Sequence, residues 1–282
     1  MIKENNPTRS IPALLLLLAT SAPVSAASIE DFATWTQVED PPHAGMSATR
    51  LGPGGVLLNA SGAIPAGTDI GYQSIGAADV SSSTTGNYFS VDDDFHIAVD
   101  YSLTASGVSG FTAIGFGIGE DGAGRNSAGA LLAISNGVPI GVSGAARVDD
   151  ATLAPLPVSF TATPSGRLFL SYESLSGDIT VGVSSTQGSL SPSQSATFGA
   201  LQKDWNNAGL LVSLFLRSDD PSIFLPMSAG TLDAQFSSFQ VLSGGSVAVV
   251  PLPGALWLFL GALGAAHFFT GRKYAASPGT VH

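Results

Sequence analysis

The residues of this chain that could do chemistry are mostly acidic and lie in short clusters. The clusters are Asp92-Asp93-Asp94, Glu120-Asp121, Asp149-Asp150 and Asp219-Asp220. Ca²⁺ is bound by several carboxylate and carbonyl oxygens that a turn holds together. Asp92, Asp93, Asp94, Glu120 and Asp121 are therefore candidate Ca²⁺ ligands. None of the clusters has the spacing of an EF-hand, and turn-forming, solvated aspartates would give the same pattern, so both interpretations stay open.

Patterns typical of catalysis are missing from the sequence. Glycoside hydrolysis needs two carboxyl groups that flank the scissile bond, and a Glu-x-Asp-x-x-Glu motif is absent. A Gly-x-Ser-x-Gly turn, which commonly presents a serine nucleophile, is absent as well. The glycine-rich stretch 115–124 is not followed by a helix signal, so it does not predict a phosphate loop. We therefore predict that the protein is not an enzyme, with no catalytic residue and no cofactor other than Ca²⁺.

Net charge and composition limit the class of partner. The 282 residues carry a formal net charge of −11, and several of the few basic residues lie near the two ends. Nucleic acids and anionic membrane surfaces need a basic footprint on their partners, so no nucleic acid partner is predicted. The chain has no cysteine, which excludes disulfides and thiolate metal sites.

The segment between residues 27 and 245 has the pattern of short β-strands that would position the acidic clusters. From Phe95 to Leu103 every second residue is apolar. This alternation predicts a half-buried strand whose other residues, including Ala98 and Asp100, face water. Further strands are predicted at 111–118, 130–134 and 158–162 from apolar runs between Gly, Asn and Pro residues.

Three patterns predict the second half of this segment. Alternating runs at 168–172 and 179–183 flank Ser176-Gly177-Asp178, which predicts a hairpin. The run 210–216 is almost continuously apolar, as in a strand that is covered on both faces. Apolar residues alternate from 232 to 236 and resume one residue late at Phe239, which predicts a β-bulge near Ser237 and Ser238.

The first 26 residues have the three parts of a secretory signal peptide. Lys3 and Arg9 supply the positive start, residues 11–19 the apolar run, and Val24-Ser25-Ala26 the small-x-small cleavage site. The apolar run is too short to span a bilayer. This predicts export through the secretion translocon and cleavage by signal peptidase, with an uncleaved N-terminal anchor as the alternative.

The C-terminal end has the length of a membrane span. Residues 247–269 contain no Lys, Arg, Asp or Glu, and Arg272 and Lys273 follow. About 20 apolar residues suffice to cross a bilayer, and flanking basic residues stay on the cytoplasmic side. The prolines at 251 and 253 suit the approach to a helix rather than its interior. A single transmembrane helix is predicted, with the preceding segment outside.

The order of these C-terminal features resembles the PEP-CTERM sorting signal of Gram-negative bacteria. The matching residues are Val250, Pro251, Leu252 and Pro253, the apolar run, and the basic stop at Arg272 and Lys273. Leu252 stands where the name-giving motif has Glu, as in the family's Val-Pro-Leu-Pro variant, and residues 274–282 extend past the basic stop. The resemblance implies recognition by an exosortase, a membrane protease, cleavage near the prolines, and delivery to the cell surface or extracellular matrix. Such proteins often accompany exopolysaccharide and biofilm production. A permanent single-pass anchor is the alternative.

These features predict an all-β protein, an antiparallel β-sandwich or jelly roll with a signal peptide and a C-terminal transmembrane helix. The expected division is 1–26 signal peptide, 27–245 sandwich, 246–273 sorting signal and 274–282 tail. The strand order and the run 230–236 are similar to concanavalin-like sandwich domains, which implies a fold and not a ligand.

The predicted function is that of an exported surface or matrix protein with a structural, adhesive or glycan-binding role. Its predicted partners are the exosortase, the export machinery and extracellular polysaccharide. Trp35, Trp205 and the tyrosines would stack on sugar rings if they were exposed, although aromatic residues of a sandwich commonly fill its core. A secreted carbohydrate-active enzyme with an unrecognised site is the alternative.

Overall fold

A computed structural model of the chain describes residues 28–149, 151–153, 160–198, 209–219 and 225–249. The predicted signal peptide with its cleavage site Val24-Ser25-Ala26, the motif Val250-Pro251-Leu252-Pro253 and the basic stop Arg272-Lys273 lie outside these residues. Within the described ranges, no helix combines the length and apolar character that crossing a bilayer requires.

Strands dominate the described part of the chain. A 3₁₀ turn at Phe32–Thr34 precedes them. The strands are β1 (Thr36–Asp40), β2 (Met46–Arg50), β3 (Gly55–Ser61), β4 (Asp69–Gln73), β5 (Asn87–Ser90), β6 (Phe95–Ser109), β7 (Phe111–Gly119), β8 (Ser127–Ser135), β9 (Val138–Val148), β10 (Ala151–Leu153), β11 (Ser165–Glu173), β12 (Asp178–Ser184), β13 (Gln194–Phe198), β14 (Gly209–Arg217), β15 (Ala229–Ser243) and β16 (Val247–Ala248).

The strands form two sheets. Sheet A has nine strands, in the order β1-β4-β14-β7-β8-β9-β10, with β5 beside β14 and β16 beside β5. Sheet B has seven, in the order β13-β12-β11-β6-β15-β3-β2. Neighbouring strands are antiparallel throughout both sheets. The predicted all-β antiparallel sandwich is confirmed, and its architecture is jelly-roll like.

The core lies between the two sheets and follows from alternation along each strand. Ile114, Phe116 and Ile118 of β7 belong to one continuous buried cluster, together with Ile97 and Val99 of β6. Burying each such side chain stabilises the fold by roughly 1.5 to 3 kcal/mol. Because successive residues of a strand point to opposite faces, the residues between them lie on the outer faces of the sandwich.

Two local predictions are confirmed. In the hairpin between β11 and β12, Glu173 pairs with Asp178, and Gly177 adopts a φ of 73°. In β15 the pairing with β6 slips between Ser237 and Gln240, and Ser238 has a φ of 50°. The bulge keeps Phe236 and Phe239 on the buried face, as the late apolar residue predicted.

The outer face of β6 differs from the prediction. Ala98 and Asp100 are 0% and 6% exposed, so the expectation that these positions face water is wrong. The loop 185–193 folds back over this part of sheet B, where Gly188 N donates to Asp100 Oδ1 at 2.9 Å and Gln187 Nε2 to the Tyr101 carbonyl at 3.0 Å. A loop distant in sequence therefore covers a face that alternation alone assigns to solvent.

Two other strand predictions need correction. Of the run 158–162, residues 158 and 159 lie outside the described ranges, and Phe160 makes only an isolated bridge to Val142. In β14 the outward residues Ser213, Phe215 and Arg217 are half-buried, so this strand is not covered on both faces along its whole length. That half-exposed face of sheet A contains the candidate site.

Strand β16 continues the pairing of sheet A beyond residue 245, where the sequence places the end of the sandwich. Val247 pairs with Tyr88 of β5, and Val249 N donates to the Gly86 carbonyl at 2.9 Å. The chain is therefore held to the sandwich up to the residue that precedes Val250.

Candidate functional site

The first predicted Ca²⁺ cluster lies in the loop between β5 and β6. Asp92 and Asp93 are exposed, and Asp94 Oδ1 accepts hydrogen bonds from Ser174 N and Oγ, both at 2.7 Å. These two bonds, the one from the backbone N–H first, lower the pKa of Asp94. Asp94 thus links this loop to the β11–β12 hairpin.

The second cluster follows β7. Glu120 is buried and Oε2 accepts from Asn126 Nδ2 at 2.7 Å, whereas Asp121 Oδ2 lies 3.2 Å from Arg125 Nε. In the part of the chain that the structure describes, no three His, Asp or Glu side chains converge closely enough to hold a metal ion. Ca²⁺ binding stays a prediction, which calorimetry of the full-length protein with Ca²⁺ would test.

The outer face of sheet A offers a different kind of site, centred on Phe215. In the register of the sheet, Phe215 of β14 pairs with Gly71 of β4 on one side and with Gly115 of β7 on the other. A Cβ atom added to Gly115 would lie 2.1 Å from both Cε1 and Cζ of Phe215. The phenyl ring therefore lies against the bare backbone of Gly115, while the side chain as a whole is only half-buried.

Most of the residues that neighbour this ring on the same face of β7 and β8 are small. Gly117 and Ala113 flank Gly115 along β7, and Gly129 and Ala133 follow on β8. These short side chains leave the sheet surface low, and the half-buried Leu131, which pairs with Gly115 on the side away from Phe215, is the other apolar side chain that projects beside the ring. We call this surface, formed by Phe215, Gly115 and these four residues, the Phe215 face.

A charged cluster adjoins the Phe215 face at one end. Asp40, Asp69 and Arg217 are neighbours across β1, β4 and β14. Arg217 Nε lies 2.5 Å from Asp219 Oδ1, and Arg217 Nη1 lies 3.9 Å from Asp69 Oδ2. The guanidinium is therefore engaged mainly by Asp219, whose side chain is 1% exposed, and only loosely by the one-third exposed Asp69. We call Asp40, Asp69, Arg217 and Asp219 the acidic corner.

The acidic corner perturbs the protonation of Asp69. Burial raises the pKa of Asp69 from 3.8 to about 6; Arg217 opposes this rise, and the carboxylates of Asp40 and Asp219 add to it. The weaker opposing effect of Arg147 comes last. A carboxyl group that titrates near neutrality is able to exchange a proton under physiological conditions.

This shift predicts a pH-dependent effect of Asp69→Asn on stability. Because the folded protein binds the proton more tightly than the unfolded chain, Asp69 favours folding below pH 3.8, and this contribution is lost as the pH rises through about 6. The variant should therefore melt at a higher temperature than the wild type at about pH 7.5, and the difference should shrink toward about pH 4. Paired melting curves across this range would measure it.

The matched control for this prediction is Asp178→Asn, which removes a half-buried carboxylate from sheet B. We expect the difference between this control and the wild type to change less with pH. A pH-independent difference between Asp69→Asn and the wild type would contradict the prediction.

The outer face of sheet B carries a second polar cluster. Arg167 is 1% exposed, and its Nη2 donates to Gln240 Oε1 at 2.6 Å, while its Nε lies 3.6 Å from Asp100 Oδ1. The loop 185–193 covers this group. Burial and the charge of Arg167 lower the pKa of the neighbouring His96. This cluster holds the loop and the sheet together and is not placed to meet a ligand directly.

The aromatic residues considered for sugar stacking are mostly in the core. Trp35 is fully buried, and so are Tyr101 and Tyr172. Trp205 lies outside the described residues. The sequence analysis missed Phe215 because it falls within an apolar run that indicated coverage on both faces, although the matching glycine at 115 was visible in the glycine-rich stretch.

Comparison with known proteins adds information about the fold. No protein-family model matches the chain, and no curated protein matches it. Among solved structures, a β-glucanase from Bacillus licheniformis is similar at 11% identity and a TM-score of 0.42, covering 74% of this chain and 92% of its own. The lectin UEA-II complexed with galactose is similar at 10% identity and a TM-score of 0.41, covering 74% and 95%. The alginate lyase from Klebsiella pneumoniae gives 11% identity and a TM-score of 0.41, covering 71% and 84%.

These comparisons correct one prediction. The sequence analysis concluded that the protein is not an enzyme because familiar catalytic motifs are absent. Solved structures similar to this chain include a β-glucanase and an alginate lyase, so that conclusion is withdrawn. At such low identity and TM-score the likeness does not identify an activity.

Proposed function

We propose that this chain is an exported protein of the cell surface or extracellular matrix and that it binds carbohydrate on the Phe215 face. The observation that carries the proposal is the half-buried ring of Phe215 lying against Gly115 on a surface of small residues. A sugar ring has an apolar C–H face and a rim of hydroxyl groups. Sites for such ligands combine an aromatic surface with a few placed polar groups.

The acidic corner supplies the polar groups in this proposal. Asp69 precedes Gly71 by two residues on β4, and Arg217 follows Phe215 by two residues on the antiparallel β14, so both lie on the same face as Phe215. Diagonal neighbours of this kind are about 7 Å apart, which is comparable with the width of one sugar ring. A carboxylate accepts hydrogen bonds and a guanidinium donates them, so the pair would meet both kinds of hydroxyl contact.

Binding to a glycan array, followed by calorimetry on the best ligand, tests this proposal with the full-length protein. Phe215→Ala should weaken binding on the order of 30-fold because it removes the aromatic surface of the Phe215 face. Phe215→Tyr keeps the ring and should retain binding. Equal affinities of the wild type and Phe215→Ala would contradict the proposal.

Gly115→Ala is a second test, because its effect acts through Phe215. The new Cβ would collide with the end of the phenyl ring, which is able to rotate away. We expect binding to fall about 10-fold while the melting temperature changes little. The control is Gly54→Ala, where an added Cβ meets nothing within 4 Å. If Gly115→Ala bound as well as this control, the flat position of the ring would not matter for binding.

Delivery to the surface is the second part of the proposal. It is supported by the signal-like N-terminus and the Val-Pro-Leu-Pro motif, which resembles the PEP-CTERM signal. Intact mass spectrometry of the protein released at the cell surface is the test, and we expect a mature start near residue 27 and an end near Pro251 or Pro253. A C-terminus still at His282 would favour the permanent anchor instead.

A carbohydrate-active enzyme is a second candidate function, favoured by one observation. Asp69, with its raised pKa of about 6, would act as the proton donor or acceptor beside a glycan on the Phe215 face. A screen for hydrolysis and elimination products with the wild type and Asp69→Asn distinguishes the candidates. Product formation that Asp69→Asn abolishes favours the enzyme, and binding without product favours the binding protein.

A further inference from the structure

The acidic corner carries more negative charge than its cation neutralises. Two carboxylates, those of Asp69 and Asp219, contact the guanidinium of Arg217, and a third, that of Asp40, belongs to the register partner of Asp69. The guanidinium of Arg217 lies 2.5 Å from Asp219 Oδ1 but 3.9 Å from Asp69 Oδ2. Asp40 is exposed and Asp69 is one-third exposed, and these neighbouring carboxylates share one loosely placed cation, Arg217.

A second observation shows that the acidic corner lacks hydrogen-bond donors. Asp219 is fully buried and directed at Arg217, yet its Oδ2 has no hydrogen-bond partner among the described residues. A buried carboxylate oxygen without a donor costs free energy. The single cation of the corner thus leaves an oxygen of the innermost carboxylate without a donor. The corner as a whole keeps an excess of negative charge, which a ligand that brings positive charge to Asp40 and Asp69 would complement.

A divalent metal ion is a poor match for the excess negative charge of the acidic corner. Ca²⁺ takes six to eight oxygen ligands. In the described ranges, no three carboxylates or histidines converge on a common point, at the acidic corner or elsewhere. The exposed pair, Asp40 and Asp69, offers two carboxylates beside the cationic Arg217. An ammonium group needs fewer partners and has three donors of its own.

We propose that the ligand of the Phe215 face is an amino sugar polymer, whose ammonium groups bind Asp40 and Asp69 while a sugar ring stacks on Phe215. This inference rests on the proposed carbohydrate binding and names the class of glycan. The same charge distribution disfavours uronic acid polymers, because their carboxylates would meet Asp40 and Asp69 at short range.

The pH dependence of binding follows from the groups that face Asp69. These are Arg217 on β14, Asp40 on β1, Asp219 after β14 and, most weakly, Arg147 on β9. An ammonium ligand binds the ionised carboxylate, so its affinity should fall when Asp69 takes up a proton. We expect the difference in affinity between the wild type and Asp69→Asn to be smaller at about pH 5 than at about pH 7.

The experiment compares three tetrasaccharides with the same linkage by calorimetry on the full-length protein: glucosamine, N-acetylglucosamine and glucose. The glucosamine tetramer should bind about 10-fold more tightly than the glucose tetramer at low salt, because its ammonium groups make charged hydrogen bonds. In the double variant Asp40→Asn with Asp69→Asn, the ratio of the two affinities should fall to about one.

The control is the double variant Glu173→Gln with Asp178→Asn. These residues are also register partners on neighbouring strands, but they lie on sheet B, so the variant changes the net charge equally and should keep the ratio. If the glucose or N-acetylglucosamine tetramer binds as tightly as the glucosamine tetramer, the inference is overturned while carbohydrate binding stands. If none binds and Phe215→Ala changes nothing on a wider array, both proposals are overturned.

Discussion

Trp35→Ala should lower the free energy of unfolding by about 4 kcal/mol. Trp35 is fully buried and packs against Phe32 and Phe239, with ring centroids 4.9 and 5.4 Å away. Its Nε1 donates to the Ile29 carbonyl at 2.8 Å. The substitution therefore opens a cavity, removes two aromatic contacts and leaves a buried carbonyl without its donor. Denaturant unfolding monitored by far-UV circular dichroism, a signal of the backbone rather than of the substituted tryptophan, would measure this change in the free energy of unfolding.

Trp35→Phe separates packing from the hydrogen bond. It keeps a ring between Phe32 and Phe239 but loses the bond to Ile29, so the loss should be less than about 2 kcal/mol. Since Phe239 follows the bulge of β15, a large effect of Trp35→Ala would also show that the N-terminal segment stabilises the bulged strand. A loss below about 1 kcal/mol for Trp35→Ala would contradict the role of Trp35 as a core residue.

The sandwich itself was predictable because its determinants are local. Alternation along 95–103 fixes which residues of β6 face inward, and a shift by one residue would expose all of them. The same reasoning located the bulge at Ser237 and Ser238, where Phe239 is one residue late. The two-residue alternation of apolar side chains and the residue types of turns are local features of the sequence, so they can be recognised without knowing which strands pair.

The outer faces were harder to predict because their environment is set by distant residues. Asp100 is buried by the loop that contains Gly188, and its charge is opposed by Arg167, which lies on another strand. No periodicity in the sequence reports such a contact. A single charged residue on the outer side of a strand looks the same in sequence whether water or a loop covers it.

The candidate site depends on strand register, which the sequence does not contain. Phe215 becomes a flat surface only because Gly115 is its partner across β14 and β7, and the two lie far apart in the chain. Asp40, Asp69 and Arg217 are likewise isolated charges until β1, β4 and β14 are placed side by side. The loop aspartates are adjacent in the sequence and are therefore visible as a motif, whereas the residues of this surface come from separate strands and form no motif.

Arg167→Met should lower the free energy of unfolding by about 3 kcal/mol, because it leaves a charge buried without its partner. Asp100 is 6% exposed and would keep the hydrogen bond from Gly188 N but lose its cationic partner. Gln240 would lose its bond to Arg167 as well. The matched control is Arg125→Met: the side chain of Arg125 is 63% exposed beside Asp121, and the loss of this pair should cost under about 1 kcal/mol.

A double variant tells charge burial from lost packing. Adding Asp100→Asn to Arg167→Met removes the stranded charge but keeps an oxygen for Gly188 N, so we expect more than half of the lost stability to return. Without such recovery, the loss would come from the missing contacts of the long Arg167 side chain, and the loop 185–193 would be held by packing. Recovery, in contrast, means that loop 185–193 covers sheet B because Asp100 and Arg167 neutralise each other beneath it.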